Sequence, residues 1–432
     1  MRARRALVGI AAVSGLSILA SLIGFVFQVV LAAHFGAGAA IDAYLFAISA
    51  PTFLAALGAT ALSYTVVPAL VHAEQEPEMR AALLLSLLKR VGCVAIGLAM
   101  IGVPVAAVQR LLLPPSADLK LIAALPTMIA LGWAIGGAQL FGSLFTIELN
   151  AARRPIVAAL LSLPVNLGAI VVVLLFPDTI LAAPAGVLTG SLVSVVLGIM
   201  LTGRSFRTPS LRGVVALQRT GVQAGIARVG WTLVAMSCFS AYAVIDAFWA
   251  PRAGSGTLAS LGYAQRLIVG IGSLIIAGPS AILTPRFAVR LRDGGGAPFL
   301  REVARTVIIV TLLACAMATL LAVLADPLIK LAFARGAFDI ADVVRVSVVF
   351  RSMLPGFCAM LASVVLTRAI YCLEGTERRM ALLGLGWSVT YFAICGMLLP
   401  LGGLGFGISY SLAWSAYMIV ATLILCHYGR AA

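Results

Sequence analysis

Uninterrupted apolar segments of about twenty residues or longer recur along this chain, and they restrict it to very few folds. A helix of that length spans the hydrocarbon core of a bilayer. Inside a bilayer only helices and closed barrels satisfy their backbone hydrogen bonds, and a barrel would show alternating strands of about ten residues. The chain is 62% hydrophobic and only 10% charged, whereas a soluble domain carries about 25% charged residues. The sequence therefore predicts an all-α integral membrane protein.

Polar breaks divide the apolar sequence into about twelve predicted transmembrane helices. They fall at 7–32, 41–70, 82–107, 120–147, 155–176, 180–202, 221–250, 257–284, 303–325, 342–371, 380–400 and 404–426. Six helices per half give both halves the same orientation in the membrane, which permits a parallel repeat. We expect an N-terminal six-helix lobe at 1–202, a basic cytoplasmic linker at 203–220 and a C-terminal six-helix lobe at 221–432, arranged around a central cavity.

The basic residues separate the apolar segments and do not cluster with aromatic residues. The net charge of +15 therefore does not indicate a nucleic-acid partner. With the N-terminus in the cytoplasm, about two thirds of the 30 Lys and Arg residues fall on the cytoplasmic side, as the positive-inside rule requires. This distribution predicts that both termini are cytoplasmic.

The loops between the predicted helices are too short for a catalytic domain. They contain neither paired carboxylates nor a cluster of metal ligands, and the seven cysteines form no CxxC pair. We predict no catalytic residue, no metal site and no enzymatic activity. The function should then depend on polar groups at membrane depth.

Four arginines, Arg228, Arg266, Arg351 and Arg368, and one acid, Asp246, lie within predicted helices, and Asp42 lies at the outer end of the second. Arg368 is close enough to the cytoplasmic end of its helix to extend to the membrane surface. An arginine near the bilayer centre costs at least about 2.5 kcal/mol, so it should face a cavity or a partner. Arg228 could instead extend to the membrane surface, and Arg351 could pair with a carbonyl or with Asp246. Asp246 could be a proton or cation site, or a counter-ion for Arg266.

Several short motifs stand in order along the chain. The first half contains Leu22-Ile23-Gly24-Phe25, His34-Phe35-Gly36-Ala37-Gly38 and Asp42-Ala43-Tyr44. The second half contains Tyr263-Ala264-Gln265-Arg266-Leu267, Leu283-Thr284-Pro285-Arg286, Phe333-Ala334-Arg335-Gly336-Ala337-Phe338-Asp339 and Arg368-Ala369-Ile370-Tyr371. Together they resemble the MurJ (MviN) lipid II flippases, a branch of the multidrug/oligosaccharidyl-lipid/polysaccharide exporter superfamily.

The resemblance implies a two-lobed carrier in the bacterial inner membrane. Such a carrier moves an undecaprenyl-pyrophosphate-linked saccharide from the inner to the outer leaflet by alternating access. Arg266 matches a basic position expected to contact the diphosphate, and Asp42 matches an acidic position near the outer gate. Arg228 and Arg351 match no family position, so we expect them only to assist Arg266. No bound cofactor is expected, and H⁺ or Na⁺ coupling through Asp246 and the membrane potential are the candidate driving forces.

The chain also departs from the family pattern at positions that the resemblance makes important. Arginines of the family are replaced by Ser21, Phe27, Ala55 and Ala56, and acidic residues by Gln28 and Val269. These losses predict a divergent member and leave other functions open. The alternatives are an exporter of another lipid-linked oligosaccharide of exopolysaccharide or O-antigen type, a cation-coupled multidrug exporter, and a non-transporting scaffold that binds other envelope-biosynthesis proteins.

Overall fold

The computed structural model describes residues 2–73, 77–109, 119–203, 223–373 and 375–429. Throughout these ranges the chain is built from helices joined by short turns, and no β-strand occurs in them. The all-α membrane fold predicted from the apolar segments is confirmed.

The chain divides into two compact units. Unit 1 holds residues 1–35 and 39–230, and unit 2 holds residues 36–38 and 231–432. The helices up to residue 203 are α1 (Arg2–Phe35), α2 (Ala39–His72), α3 (Pro77–Gln109), α4 (Leu119–Ala151), α5 (Pro155–Leu160), α6 (Leu163–Leu175) and α7 (Ala182–Thr202). Of the predicted linker at 203–220, only Gly203 lies within the described residues.

The remaining helices begin at residue 223. They are α8 (Gln223–Ser240), α9 (Tyr242–Ala253), α10 (Thr257–Gly294), α11 (Gly296–Val323), α12 (Ala325–Phe333), α13 (Ile340–Ile370), α14 (Glu377–Met397) and α15 (Gly403–Gly429), with a 3₁₀ turn at Leu399–Leu401 before α15. Each of the twelve predicted spans coincides with one helix or with two successive helices.

Eleven of the described segments are long and apolar enough to cross a membrane. Helix α10 is not among them, but it contains the predicted span 257–284 and has 38 residues. At about 1.5 Å per residue, a helix of that length exceeds the thickness of a bilayer. The chain is thus a multi-pass membrane protein.

The predicted span at 155–176 is two helices, α5 and α6. The amides of Leu161 and Ser162 donate to carbonyls only three residues back, at 3.3 Å each, which closes α5 with a tight turn. Pro164 stands in the first turn of α6, where a missing N–H costs nothing, whereas inside a longer helix its ring would clash with the preceding turn. Pro164 therefore determines that the segment is divided into α5 and α6.

Each unit is organised around the fourth of its membrane-spanning segments. In unit 1 this is α4, which packs against α2, α3 and α7. In unit 2 it is α13, which packs against α10, α11 and α15. In both units the central helix thus contacts the second, third and sixth membrane-spanning segments.

Glycines let the neighbours of α4 approach its backbone. A Cβ atom on Gly136 would stand 2.7 Å from the carbonyl oxygen of Pro51 in α2, and one on Gly137 would stand 2.5 Å from that of Ala95 in α3. Contacts this short are impossible, so larger residues would force the helices apart. Small residues also allow close helix packing in other membrane proteins. There the van der Waals contacts between backbones stabilise helix association, because the hydrophobic effect does not act between helices in lipid.

Helix α13 continues through the Pro355-Gly356 pair, with help from Ser411 of α15. The Ser411 hydroxyl accepts a hydrogen bond from the Gly356 amide at 2.9 Å and donates one to the Ser352 carbonyl at 2.7 Å. These two backbone groups are four residues apart, the spacing that an α-helix pairs directly. Ser411 therefore bridges the helix at the proline, as serine side chains do in membrane helices.

Replacement of Ser411 by alanine should destabilise unit 2 by about 1–3 kcal/mol. The change leaves a buried amide and a buried carbonyl without their side-chain partner, and such groups carry that cost. Thermal unfolding in detergent would measure the effect. Ser415→Ala on the same helix is the matched control, because the Ser415 hydroxyl donates only to its own helix at Ser411. Equal melting temperatures for the two variants would contradict the bridging role.

Candidate functional site

Asp246 is an acidic side chain buried in unit 2. It lies on α9 with 1% of its surface exposed. The Tyr391 hydroxyl donates to Asp246 Oδ1 at 2.5 Å, and Gln265 Nε2 donates to Oδ2 at 2.6 Å. Both donors are neutral, and among the described residues no cation pairs with the carboxylate. A buried anion without a counter-ion is costly, so these two hydrogen bonds offset the charge of the carboxyl group when it is ionised.

The partners of Asp246 suit either protonation state. A tyrosine hydroxyl can donate to a carboxylate or accept from a carboxylic acid, and a carboxamide carries both a donor and an acceptor. Tyr391 is itself held by Trp387, whose ring stacks on it at 5.4 Å between centroids. The sequence predicted Asp246 but not Gln265 or Tyr391. The sequence feature that could have identified Gln265 was its position directly before Arg266 in the motif at 263–267.

Arg266 occupies the position after Gln265 on α10. It is exposed, as are the residues Val269 and Gly270 one turn further on, whereas Tyr263 and Leu267 are buried. Within the described part of the chain, the guanidinium has no ion-pair or hydrogen-bond partner. It can therefore bind an external anion without first breaking a bond within the protein.

Arg351 is already engaged inside unit 2. Its Nε donates to the Ala322 carbonyl at 3.0 Å, and its Nη2 donates to Asp326 Oδ2 at 2.7 Å. Of the two partners expected from the sequence, a carbonyl and Asp246, the structure provides the carbonyl and a different acid. These bonds join α13 to the corner between α11 and α12. An anion at Arg351 would have to compete with Asp326.

The Arg351–Asp326 pair is exposed, so we expect it to contribute less than about 1 kcal/mol to stability. The hydrogen bond from Arg351 holds the pKa of Asp326 below its usual value of 3.8. The stabilisation by this ion pair is therefore present above about pH 3.8, and it is lost as the pH falls through the lowered pKa of Asp326. A double-mutant cycle with Arg351→Gln and Asp326→Asn, measured at pH 7, should give this small coupling. A coupling above about 2 kcal/mol would contradict a surface pair.

The other two predicted residues are Arg228 and Asp42. Arg228 lies on α8, but its side chain is outside the described part of the structure. Asp42 belongs to unit 1, where it lies buried in the first turn of α2. A carboxylate there is stabilised by the positive end of the helix dipole. Among the predicted residues whose side chains are described in unit 2, Asp246 and Arg266 are linked through Gln265, whereas Arg351 bonds to Asp326.

Residues 36–38 connect α1 to α2 but belong to unit 2. The Gly36 carbonyl accepts from the Tyr263 hydroxyl at 3.0 Å, and the Ala37 amide donates to Asp342 Oδ2 at 3.1 Å. Gly36 has a φ of +64°, which favours glycine. The Tyr263 ring contacts Phe333 and Phe338. The motif at 333–339 thus supports the tyrosine that holds this connection.

Glu148 is a second buried acid, which the sequence did not single out. It lies on α4 in unit 1 with 1% of its surface exposed, and its Oε1 accepts from Arg80 at 2.9 Å. Arg80 lies in α3, two residues before the predicted span 82–107. Removal of Arg80 would leave the Glu148 carboxylate buried without its partner and cost several kcal/mol. This ion pair therefore joins α3 to α4.

Comparisons with known proteins identify the fold. A solved structure described as "Lipid II flippase MurJ, inward closed conformation" is 16% identical, with a TM-score of 0.70 over 96% of this chain and 86% of the other. An inward-facing multidrug resistance MATE family transporter of the MOP superfamily is 14% identical, with a TM-score of 0.77 over 96% and 95% of the two chains. A MOP superfamily transporter from Pyrococcus furiosus is 13% identical, with a TM-score of 0.62 over 97% and 93%.

The family itself is identified from the sequence. No curated protein sequence matches the chain significantly. The family profile described as "Lipid II flippase MurJ" matches residues 31–429, which include every motif noted above except the first, at 22–25. The resemblance drawn from those motifs is confirmed. The chain belongs to the lipid II flippase MurJ family.

Proposed function

We propose that this protein is a flippase for an undecaprenyl-pyrophosphate-linked saccharide of the lipid II type. It moves the head group from the inner to the outer leaflet of the bacterial inner membrane by alternating access. The observation that supports this best is Arg266, an exposed guanidinium on a membrane helix with no partner among the described residues. Because the chain belongs to a flippase family, a lipid-linked anion is the ligand that best fits this guanidinium.

The chemistry of binding follows from the charge of the diphosphate. The head group enters an inward-open cavity from the side while the polyprenyl tail remains in lipid. Arg266 offsets the cost of removing the phosphates from water, because a guanidinium forms two parallel hydrogen bonds to a phosphate. Arg228 and Arg351 assist, and Arg351 does so by exchanging Asp326 for the phosphate. Asp42 acts at the outer gate.

Two energy sources drive the outward movement. An inside-negative potential favours outward transfer of an anion by about 2.3 kcal/mol per charge per 100 mV. Asp246 couples the cycle to H⁺ or Na⁺, because it is buried between neutral donors and is adjacent, through Gln265, to the phosphate-binding Arg266. Both termini are cytoplasmic in this proposal, and other envelope-biosynthesis proteins supply and consume the lipid.

A second candidate is a flippase for a less strongly charged or differently built lipid-linked saccharide. Two positions where the resemblance implies arginine hold Phe27 and Ala55, which are 3% and 2% exposed. Unit 1 uses both as packing residues, so it offers the diphosphate no charge there. Each missing charge-assisted contact weakens phosphate binding by about 1.5–3 kcal/mol.

Genetic rescue separates the two candidates. Expression of this chain in a bacterium depleted of its lipid II flippase should restore growth and cell shape if lipid II is carried. Rescue of a polysaccharide-export mutant, with no rescue of the flippase-depleted strain, would shift the assignment to the second candidate. Failure of both, with membrane insertion verified, would contradict the transport proposal. The Arg266→Ala variant is the matched negative control.

A further inference from the structure

A stripe of uncharged polar side chains runs along helix α4 of unit 1. Gln139, Ser143, Thr146 and Asn150 are spaced by four, three and four residues, the spacing that brings side chains to one face of a helix. Over eleven residues this face extends about 16 Å. Polar groups within membrane helices are costly and ordinarily face the protein interior or an aqueous cavity.

This stripe lines a cavity within unit 1. The cavity has a volume of about 290 Å³. The other helices that line it add four further hydroxyls, from Ser63, Ser162, Ser191 and Ser194. The described residues that line it include no charged side chain. The result is an uncharged site rich in hydroxyl and carboxamide groups within unit 1.

Several of these groups retain hydrogen-bonding capacity. The hydroxyls of Ser143 and Ser194 each donate to a backbone carbonyl, at 2.6 Å in both cases, but their lone pairs can still accept. Gln139, Thr146 and Asn150 form no side-chain hydrogen bond within the described part of the chain. The cavity therefore offers two carboxamides and a hydroxyl with both donors and acceptors free.

Such a lining fits an uncharged polyhydroxylated ligand. Sugar hydroxyls and acetamido groups need donors and acceptors at short intervals, and carboxamides and hydroxyls provide both. A phosphate would enter without a cation to offset its loss of water, so it is disfavoured. The volume is about ten times that of a water molecule in the liquid, which leaves room for a sugar residue.

We propose that this cavity binds the saccharide part of the lipid-linked substrate, while the diphosphate binds elsewhere. The inference rests on the proposed flippase function and adds a second, uncharged recognition site to it. Gln139, Thr146 and Asn150 are the specificity-determining side chains. They distinguish a lipid that carries sugars from one that ends in phosphate.

The test compares two lipids on the purified full-length protein in nanodiscs, namely lipid II and undecaprenyl pyrophosphate without sugars. The Gln139→Leu/Thr146→Val double variant should weaken lipid II binding by about tenfold, as expected for the loss of two neutral hydrogen bonds, and leave binding of the sugar-free lipid unchanged. The isosteric Thr146→Val variant alone should give a smaller loss of the same kind. It keeps the test valid if the double variant fails to fold.

Thr189→Val is the matched control. Thr189 lies on α7 two residues before Ser191, does not line the cavity, and donates only to its own helix at Ala185. Unchanged lipid II affinity in the cavity variants, or equal weakening of both lipids, would overturn the saccharide site while leaving the flippase proposal intact. Absence of binding of both lipids by the unmodified protein would overturn both.

Discussion

Arg266→Ala should reduce transport of a diphosphate-linked lipid by at least tenfold. A charge-assisted hydrogen bond contributes about 1.5–3 kcal/mol, and each 1.4 kcal/mol is a factor of ten in affinity. The loss is not compensated within the protein, because no other described guanidinium of the candidate group is free. Arg351 is bonded to Ala322 and Asp326. The measurement is the rate at which labelled lipid changes leaflet in proteoliposomes.

Two further variants make the result specific to the guanidinium. Arg266→Lys keeps the charge but loses the two-pronged geometry, so it should retain part of the activity. Arg290→Ala removes an exposed arginine further along α10 and should leave transport unchanged. A normal rate for Arg266→Ala, with insertion and melting temperature also normal, would remove this residue from the mechanism. The proposal would then lose its strongest support.

The membrane fold was predictable because it depends on composition along the sequence. Apolar length, proline positions and charge asymmetry are local properties, and the bilayer acts on each segment separately. The division at α5 and α6 followed from the position of Pro164, whereas the short helix α12 between two spans did not follow from apolar length. Helices were therefore easier to predict than the turns between them.

The partners of the charged residues were not predictable in the same way. Tyr391 lies 145 residues from Asp246, and Asp342 lies 305 residues from Ala37. Which faces of two helices meet depends on their rotation. When nearly all faces are apolar, the sequence contains little information about that rotation. Glu148 was missed for a related reason, because only its packing against Arg80 shows that it is buried.

The sequence motifs contained some of the residues that form these long-range contacts. The tyrosine in the motif at 263–267 and the two phenylalanines in the motif at 333–339 were noted separately, and the structure brings them together around the Gly36 carbonyl. A short motif shows which residues on one side form a contact, but it does not show which distant residues they contact. The family resemblance therefore supplied the order of the parts, and the structure supplied their pairing.

In the proposed mechanism, Asp246 binds the coupling ion and Arg266 binds the substrate, at two neighbouring positions. Arg266 is exposed and without a partner in the described structure, so it suits a bulky anionic substrate that enters and leaves. Asp246 is buried and reached through Gln265 and Tyr391, so it suits a small cation or a proton. Arg266 follows Gln265 in the chain, and Asp246 accepts a hydrogen bond from the Gln265 side chain. Occupancy of one of these two sites can therefore affect the other through the rotamer of the Gln265 amide.

Asp246→Asn should abolish coupling while the protein remains folded. The amide oxygen of asparagine can accept from the Tyr391 hydroxyl, and its NH₂ can donate to Gln265 once that carboxamide turns over. The variant cannot bind a proton or hold a cation by charge. We expect the stimulation of lipid transport by an imposed pH or Na⁺ gradient to disappear, with at least a tenfold loss of gradient-driven rate. The assay is transport in proteoliposomes with each gradient applied separately.

The comparison with other variants identifies the origin of the loss. Asp293→Asn neutralises an exposed acid at the end of α10 and should keep the full response to either gradient. Tyr391→Phe removes one hydrogen bond but leaves the carboxylate, so it should shift the pH or Na⁺ concentration at half-stimulation without eliminating the response. If Asp246→Asn responds to both gradients like the unmodified protein, Asp246 is a structural residue. The outward movement must then be driven by the membrane potential acting on the diphosphate that Arg266 binds.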